Sequence, residues 1–202
     1  MKPASTKDTL HRYLRSARDA LLWKLEAVPE YDARRPLTST GTNLLGIVKH
    51  LATVELGYFG DTFGRPHGER LPWDGREPEP KEDMFASADE TREEIIALYQ
   101  RAAAHADATI NELSIEDTGT VPWWPDDVNP VTLHWILIHM IAETNRHLGH
   151  ADILREGIDG AVGHRAGVEN LPDVDPSWWP GYVERVEEAA RAASGFEPDA
   201  TP

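Results

Sequence analysis

Residues 139–156 read HMIAETNRHLGHADILRE, and twelve of those positions hold three histidines and a glutamate. An α-helix turns about 100° per residue, so positions i, i+4 and i+7 share a face. Glu143, His147 and His150 obey that spacing, and His139 extends the row by one turn. A polar row pointing into a protein interior must be satisfied, and imidazoles with a carboxylate are donors that a divalent metal accepts. One helix cannot complete a metal's shell. His50, inside the apolar run LLGIVKHLATVEL, offers a further donor from a second helix. His50, Glu143 and His147 together would make a two-histidine, one-carboxylate site with a position left open, as a catalytic metal requires. The same residues admit plainer roles. A buried histidine is commonly satisfied by a nearby carbonyl. A glutamate and histidine at i, i+4 can be a simple helix-face contact worth about 0.2–0.5 kcal/mol.

These residues need helices to position them. Ser5 with Asp8 three residues on is a capping signature, and Leu10, Leu14, Ala17, Leu21 and Leu25 follow at helical spacing until Pro29. A second helix is predicted from Thr42 or Asn43 through NLLGIVKHLATVELGYFG, too apolar to lie on the surface. Residues 61–86 are rich in proline, glycine and acid and predict a long functional or mobile loop. Ser87 to Glu90 predicts the start of a third helix, and Asn129–Pro130 the cap and first turn of a fourth, running to Gly157. A short fifth helix is expected after Pro180, and residues 195–202 are expected to be a disordered tail. No stretch carries a strand pattern. The fold class is all-α: a single domain over residues 1–194, built as an antiparallel four-helix bundle with a short C-terminal helix.

Composition narrows the function. The chain has 202 residues, no cysteine and a formal net charge of −15. Without cysteine it has no thiolate ligand or nucleophile of its own, so any sulfur chemistry must use a substrate's sulfur. The charge argues against nucleic acid as a partner. No run approaches the ~18 apolar residues of a membrane span, and the N-terminal segment lacks a signal peptide's apolar core, so no membrane partner and a cytoplasmic location are expected.

The motifs IVKHLATVELGYF and HMIAETNRHLGHADILRE resemble the DinB/YfiT-like superfamily of metalloenzymes, and more narrowly its mycothiol-dependent branch. The resemblance covers residues 1 to about 160 in organisation. It implies a four-helix bundle holding zinc, or alternatively nickel, and homodimers. His50 and His147 match ligand positions, and Glu143 stands where the mycothiol branch places glutamate. The maleylpyruvate isomerases of that branch carry an aspartate where this chain has His150, and an additional C-terminal domain for which the tail is too short. The resemblance therefore implies a mycothiol S-transferase, in which metal lowers the pKa of mycothiol and an electrophilic small molecule meets the thiolate.

Within that expectation His150 is the candidate proton acceptor, with a supporting hydrogen bond to Glu143 or a neighbouring carbonyl as its plainer role. His139 is expected to be buried beside the site, and Asp152 with Arg155 to be a surface ion pair. Arg65 or His67 could lie near an anionic cosubstrate. Trp73, Trp123, Trp124, Trp178 and Trp179 are expected to seal the bundle ends in preference to roofing a pocket. The rival functions are a metal-assisted hydrolase with water at the open position, and a non-catalytic, stress-associated bundle that binds metal or a ligand.

Overall fold

The computed structural model describes residues 4–195. Internal contacts group the described residues into two compact units, divided between Glu169 and Asn170. The expected disordered tail lies outside the described residues except for Gly195.

In the first unit, α1 (Thr6–Trp23) opens with the expected capping box between Ser5 and Asp8 and buries Leu14, Ala17 and Leu21. A five-residue α2 (Glu30–Arg34) follows Pro29. In α3 (Leu44–Phe59) the Asn43 side chain accepts the Gly46 N–H at 2.7 Å, the cap the sequence predicts. Two predicted starts are corrected. α4 (Arg92–Glu112) is capped by Thr91 with Glu94, not by Ser87 with Glu90. The Glu90 carboxylate does accept the Ser87 N–H, but Lys49 Nζ holds it at 2.9 Å and the helix begins beyond it. α5 (Leu133–Asp159) is capped by Thr132. Asn129 instead exchanges hydrogen bonds with the backbone of Val121, and its bond to Pro130 is cis. A short antiparallel ladder, absent from the sequence prediction, joins β1 (Thr118–Gly119) to β2 (Val131–Thr132) with Thr118 opposite Thr132.

α1, α3, α4 and α5 form a closed square in which α1 and α3 each pack on both α4 and α5. Side-chain partners give the directions. The first turns of α3 meet the start of α4 through Lys49 and Glu90, and the last turns meet through the Thr109 hydroxyl and the Phe59 carbonyl, so these neighbours run parallel. α1 and α5 also run parallel: Arg155, near the end of α5, donates to the carbonyls of Trp23 and Lys24. α3 opposes α5, and α1 opposes α4, with Lys7 at the Leu113 carbonyl and Arg92 at that of Val28. Parallel neighbours need a crossover. Residues 60–91 supply it.

The core lies in two apolar clusters, one around Leu21, Leu45, Leu51 and Tyr99, the other around Leu14, Phe59, Ile110 and Leu137. Arg18 crosses the bundle to fully buried Glu55 at 2.7 Å and to Asp107 at 2.6 Å. The ion pair expected between Asp152 and Arg155 does not form: Asp152 pairs with Lys24 at 2.7 Å and Arg155 with Asp159 at 2.9 Å.

In the second unit, α6 (Trp178–Ser194) starts two residues before Pro180. A proline is tolerated there because the first turn's N–H groups have no helical acceptor. Trp178 and Tyr182 stack at 5.0 Å, and Arg185 lies over both rings.

Candidate metal centre

The antiparallel packing of α3 on α5 brings His50 against Glu143 and His147. The Glu143 Oε1 lies 3.0 Å from His147 Nε2 and 3.5 Å from His50 Nε2. One donor atom from each residue falls within 4.8 Å of the others. The two imidazole rings are 4.7 Å apart, and all three side chains are between 12% and 25% exposed, reachable from solvent but mostly enclosed.

A fourth residue completes the arrangement, and sequence reasoning missed it. The His50 Nδ1–H donates to Asp83 Oδ2 at 2.6 Å, which turns Nε2 towards Glu143. Asp83 lies on a single 3₁₀ turn (Glu82–Met84) of the crossover. Gly46 lets that turn sit against α3, since a Cβ at this position would stand 1.8 Å from the Met84 carbonyl oxygen. Lys49, buried one residue from His50, holds the same segment through the carbonyls of Glu82 and Phe85 and the carboxylate of Glu90. A carboxylate behind a histidine in this way fixes its tautomer and raises its basicity as a ligand.

The charges respond accordingly. Burial pulls the His50 imidazole down, but its bonds and charge contacts with Asp83 and Glu143 outweigh this and raise its pKa. His147 is lowered by burial and by the neighbouring His50 charge. Burial would raise Glu143, yet the two histidines hold it below the ordinary carboxylate range. Two imidazoles sharing one ionised carboxylate, with a second carboxylate behind, form a donor set that suits a divalent cation. The residues present therefore fit a metal.

His50 and Glu143 stand in the wall of a cavity of about 510 Å³. Its other walls include Tyr58, Leu71, Trp73, Trp123 and His139. Trp123 and Trp73 thus line the cavity, contrary to the expectation that the tryptophans seal the ends. Gly57 makes room for Trp123, whose ring a Cβ there would meet at 2.7 Å. Trp124 lies behind, donating to the Tyr58 hydroxyl at 3.1 Å. His139 packs between Tyr58 and Trp124, with ring centroids 4.7 and 5.1 Å away, and its nitrogens have no hydrogen-bond partner among the described residues. His150 is placed differently. It is exposed, its ring lies 5.4 Å from that of His147, and it lines a separate shallow groove with Thr38, Thr40 and Thr42.

The model of the mycothiol S-transferase family matches residues 9–160. The chain belongs to that family. No curated protein is significantly similar in sequence. Among solved structures the chain is similar to YfiT from Bacillus subtilis, described as a "probable metal-dependent hydrolase with an unusual four-helix bundle topology". The two share 19% identity with a TM-score of 0.57, covering 80% of this chain and 93% of that one, and the likeness bears on the fold. Among the described residues no helix is long and apolar enough to cross a membrane.

Proposed function

We propose that the protein is a metal-dependent S-transferase that joins a low-molecular-weight thiol, mycothiol, to an electrophilic small molecule. The observation that carries this is the His50, Glu143 and His147 cluster, two of whose members, His50 and Glu143, line a cavity large enough for a small ligand, in a chain of this family. Zinc is the proposed ion, held by those three residues. When bound, a divalent cation supplies the positive charge that lowers a thiol's pKa and keeps it as thiolate.

The chain's own residues do the rest. Asp83 orients His50, and Glu143 balances charge between the two histidines. Trp73, Trp123 and Leu71 offer apolar surface to the electrophile. His139 lines the cavity with free ring nitrogens, and burial lowers its pKa and favours the neutral ring, so it is the proposed acceptor of the thiol proton. His150, assigned that role from sequence, would act only through His147. Cytoplasmic location, homodimerisation and a part in detoxification complete the proposal.

A second reading, a metal-assisted hydrolase with water in the thiol's place, draws support from the description of YfiT. The test is metal analysis of wild type and His147→Ala, then conjugation of chlorobimane. We expect about one zinc ion per chain, lost in the variant while helicity persists. The zinc-loaded protein should conjugate mycothiol and not glutathione. Protein that stays metal-free when zinc is offered overturns the proposal, and ester cleavage without any thiol favours the hydrolase.

A further inference from the structure

The metal cluster lies on the α3–α5 edge of the square. The opposite edge, where α1 packs on α4, holds a second cavity of about 590 Å³ that shares no wall residue with the first. Arg18 and Tyr99 stand in its wall, 5% and 1% exposed. Arg18 Nε donates to Glu55 and Nη1 to Asp107, but Nη2 is enclosed and has no partner. The Tyr99 hydroxyl is also enclosed and unpartnered, and so is Glu55 Oε2. The three groups are close enough for Tyr99 to feel the charges of both Glu55 and Arg18. Burial raises the Tyr99 pKa well above that of an ordinary phenol, so it stays a neutral hydroxyl.

These atoms ask for different things. Arg18 Nη2 only donates, an ionised Glu55 only accepts, and Tyr99 does either. Buried groups of this kind are costly to leave unpaired. A ligand that answers all three carries an acceptor and a donor side by side. Charge narrows the choice. Glu55 at 2.7 Å and Asp107 at 2.6 Å already balance Arg18, and the rest of the wall adds one cation, Arg15, and one anion, Asp19. A carboxylate would be repelled by Glu55 and Asp107 and has no proton to give, and an ammonium has no lone pair for Arg18. A carboxamide has both functions without charge. It also has a second N–H for Asp19, which is without a partner among the described residues and which a single hydroxyl would leave unmet. Leu22 offers the carbon frame an apolar surface.

We propose that this cavity is a second small-molecule site, for an uncharged primary carboxamide whose carbonyl accepts from Arg18 and Tyr99 and whose N–H groups face Glu55 and Asp19. The site stands apart from the thiol reading of the metal centre and uses none of its residues. It gives the ion cluster that ties α1 to α3 and α4 a role beyond holding the bundle together.

The test titrates the isotope-labelled full chain with benzamide, benzoate, benzylamine and benzyl alcohol and follows backbone amide NMR shifts. In wild type, benzamide should move signals of α1 and α4 around Arg18 and Tyr99. It should bind there about tenfold tighter than each of the other three, the effect of one further buried hydrogen bond. Tyr99→Phe removes only the hydroxyl and should weaken benzamide about tenfold. Ala104→Trp, at an exposed position on the wall, should block benzamide and leave the fold intact. Equal or tighter binding of any of the other three by wild type overturns the inference. So do benzamide shifts confined to the cavity beside His50, or wild-type affinity in either variant. If benzamide moves nothing on α1 and α4, ordinary water satisfies these atoms and the proposal fails.

Discussion

His50 Nδ1 and Asp83 Oδ2 lie 2.6 Å apart, joining the second bundle helix to a loop residue 33 positions away. The contact holds the imidazole with its other nitrogen towards Glu143, so the site's orientation is built in before any cation arrives. Asp83→Ala should weaken zinc binding roughly 10–100-fold, the usual cost of losing a carboxylate behind a metal-binding histidine. Competition against a chromophoric chelator measures it, and circular dichroism should show unchanged helicity. Unaltered affinity would make Asp83 a bystander.

Gly46→Ala tests the seat of that loop. The added methyl would meet the Met84 carbonyl, a backbone atom that moves only with its segment. A loss of about 1–3 kcal/mol is expected from the overpacking, read from urea unfolding, together with weaker zinc binding as Asp83 is displaced. A variant as stable as wild type would show that the 3₁₀ turn floats freely.

His147→Ala and His150→Ala should separate. The first removes a donor facing Glu143 and should abolish zinc retention, whereas the second alters an exposed ring outside the cavity and should leave zinc content unchanged. Equal loss in both would return His150 to the centre.

The ion cluster between the helices predicts an acid limit. Burial works against the Asp107 carboxylate, but His11 at 2.7 Å and Arg18 at 2.6 Å outweigh it and hold its pKa below the ordinary value. Lys49 and Ser87 do the same for Glu90. Depressed folded-state values mean that the unfolded chain binds protons more readily. The stabilisation is therefore complete above the unfolded carboxyl pKa of about 4 and is lost as pH falls through the lower folded values. Glu55, raised by burial despite Arg18, contributes with the opposite sign. Urea midpoints should fall between about pH 5 and pH 3, and more shallowly in Asp107→Asn. An equal slope in that variant would remove Asp107 from the account.

Arg18→Met tests the same cluster at neutral pH. It would leave Glu55 buried without its cation, a change that typically costs about 3–5 kcal/mol. Thermal unfolding should shift down accordingly, and a second substitution, Glu55→Leu, should recover part of the loss. A single variant with wild-type stability would contradict the pairing.

The sequence makes the His50, Glu143 and His147 cluster visible because all three lie on long helices, where one period governs position and face. Asp83 carries no such signal. It sits in an aperiodic loop, and only the close approach allowed by Gly46 brings it to His50. Helix direction is equally hidden: apolar spacing marks which face is buried but not where a long connection leads, so the parallel pairing of α3 with α4 had to be seen. The Ser87 and Asn129 caps misled because the Glu90 carboxylate takes the Ser87 N–H in a turn that ends before α4 begins, and the Asn129 side chain is held by the backbone of Val121. Asp152 and Arg155 have suitable spacing for an ion pair, yet Lys24 and Asp159 compete successfully.

The crossover of residues 60–91 exists because two neighbouring helices point the same way, and it carries Asp61, His67, Leu71, Trp73 and Asp83. The metal-ligand candidates and the facing wall of the cavity thereby stand on different kinds of backbone, one constrained by helix packing and one by a few anchor points such as Lys49 and Gly46. A lineage, or an engineer, could rewrite much of that segment to reshape the cavity wall while keeping the anchors and Asp83, without repacking a single helix.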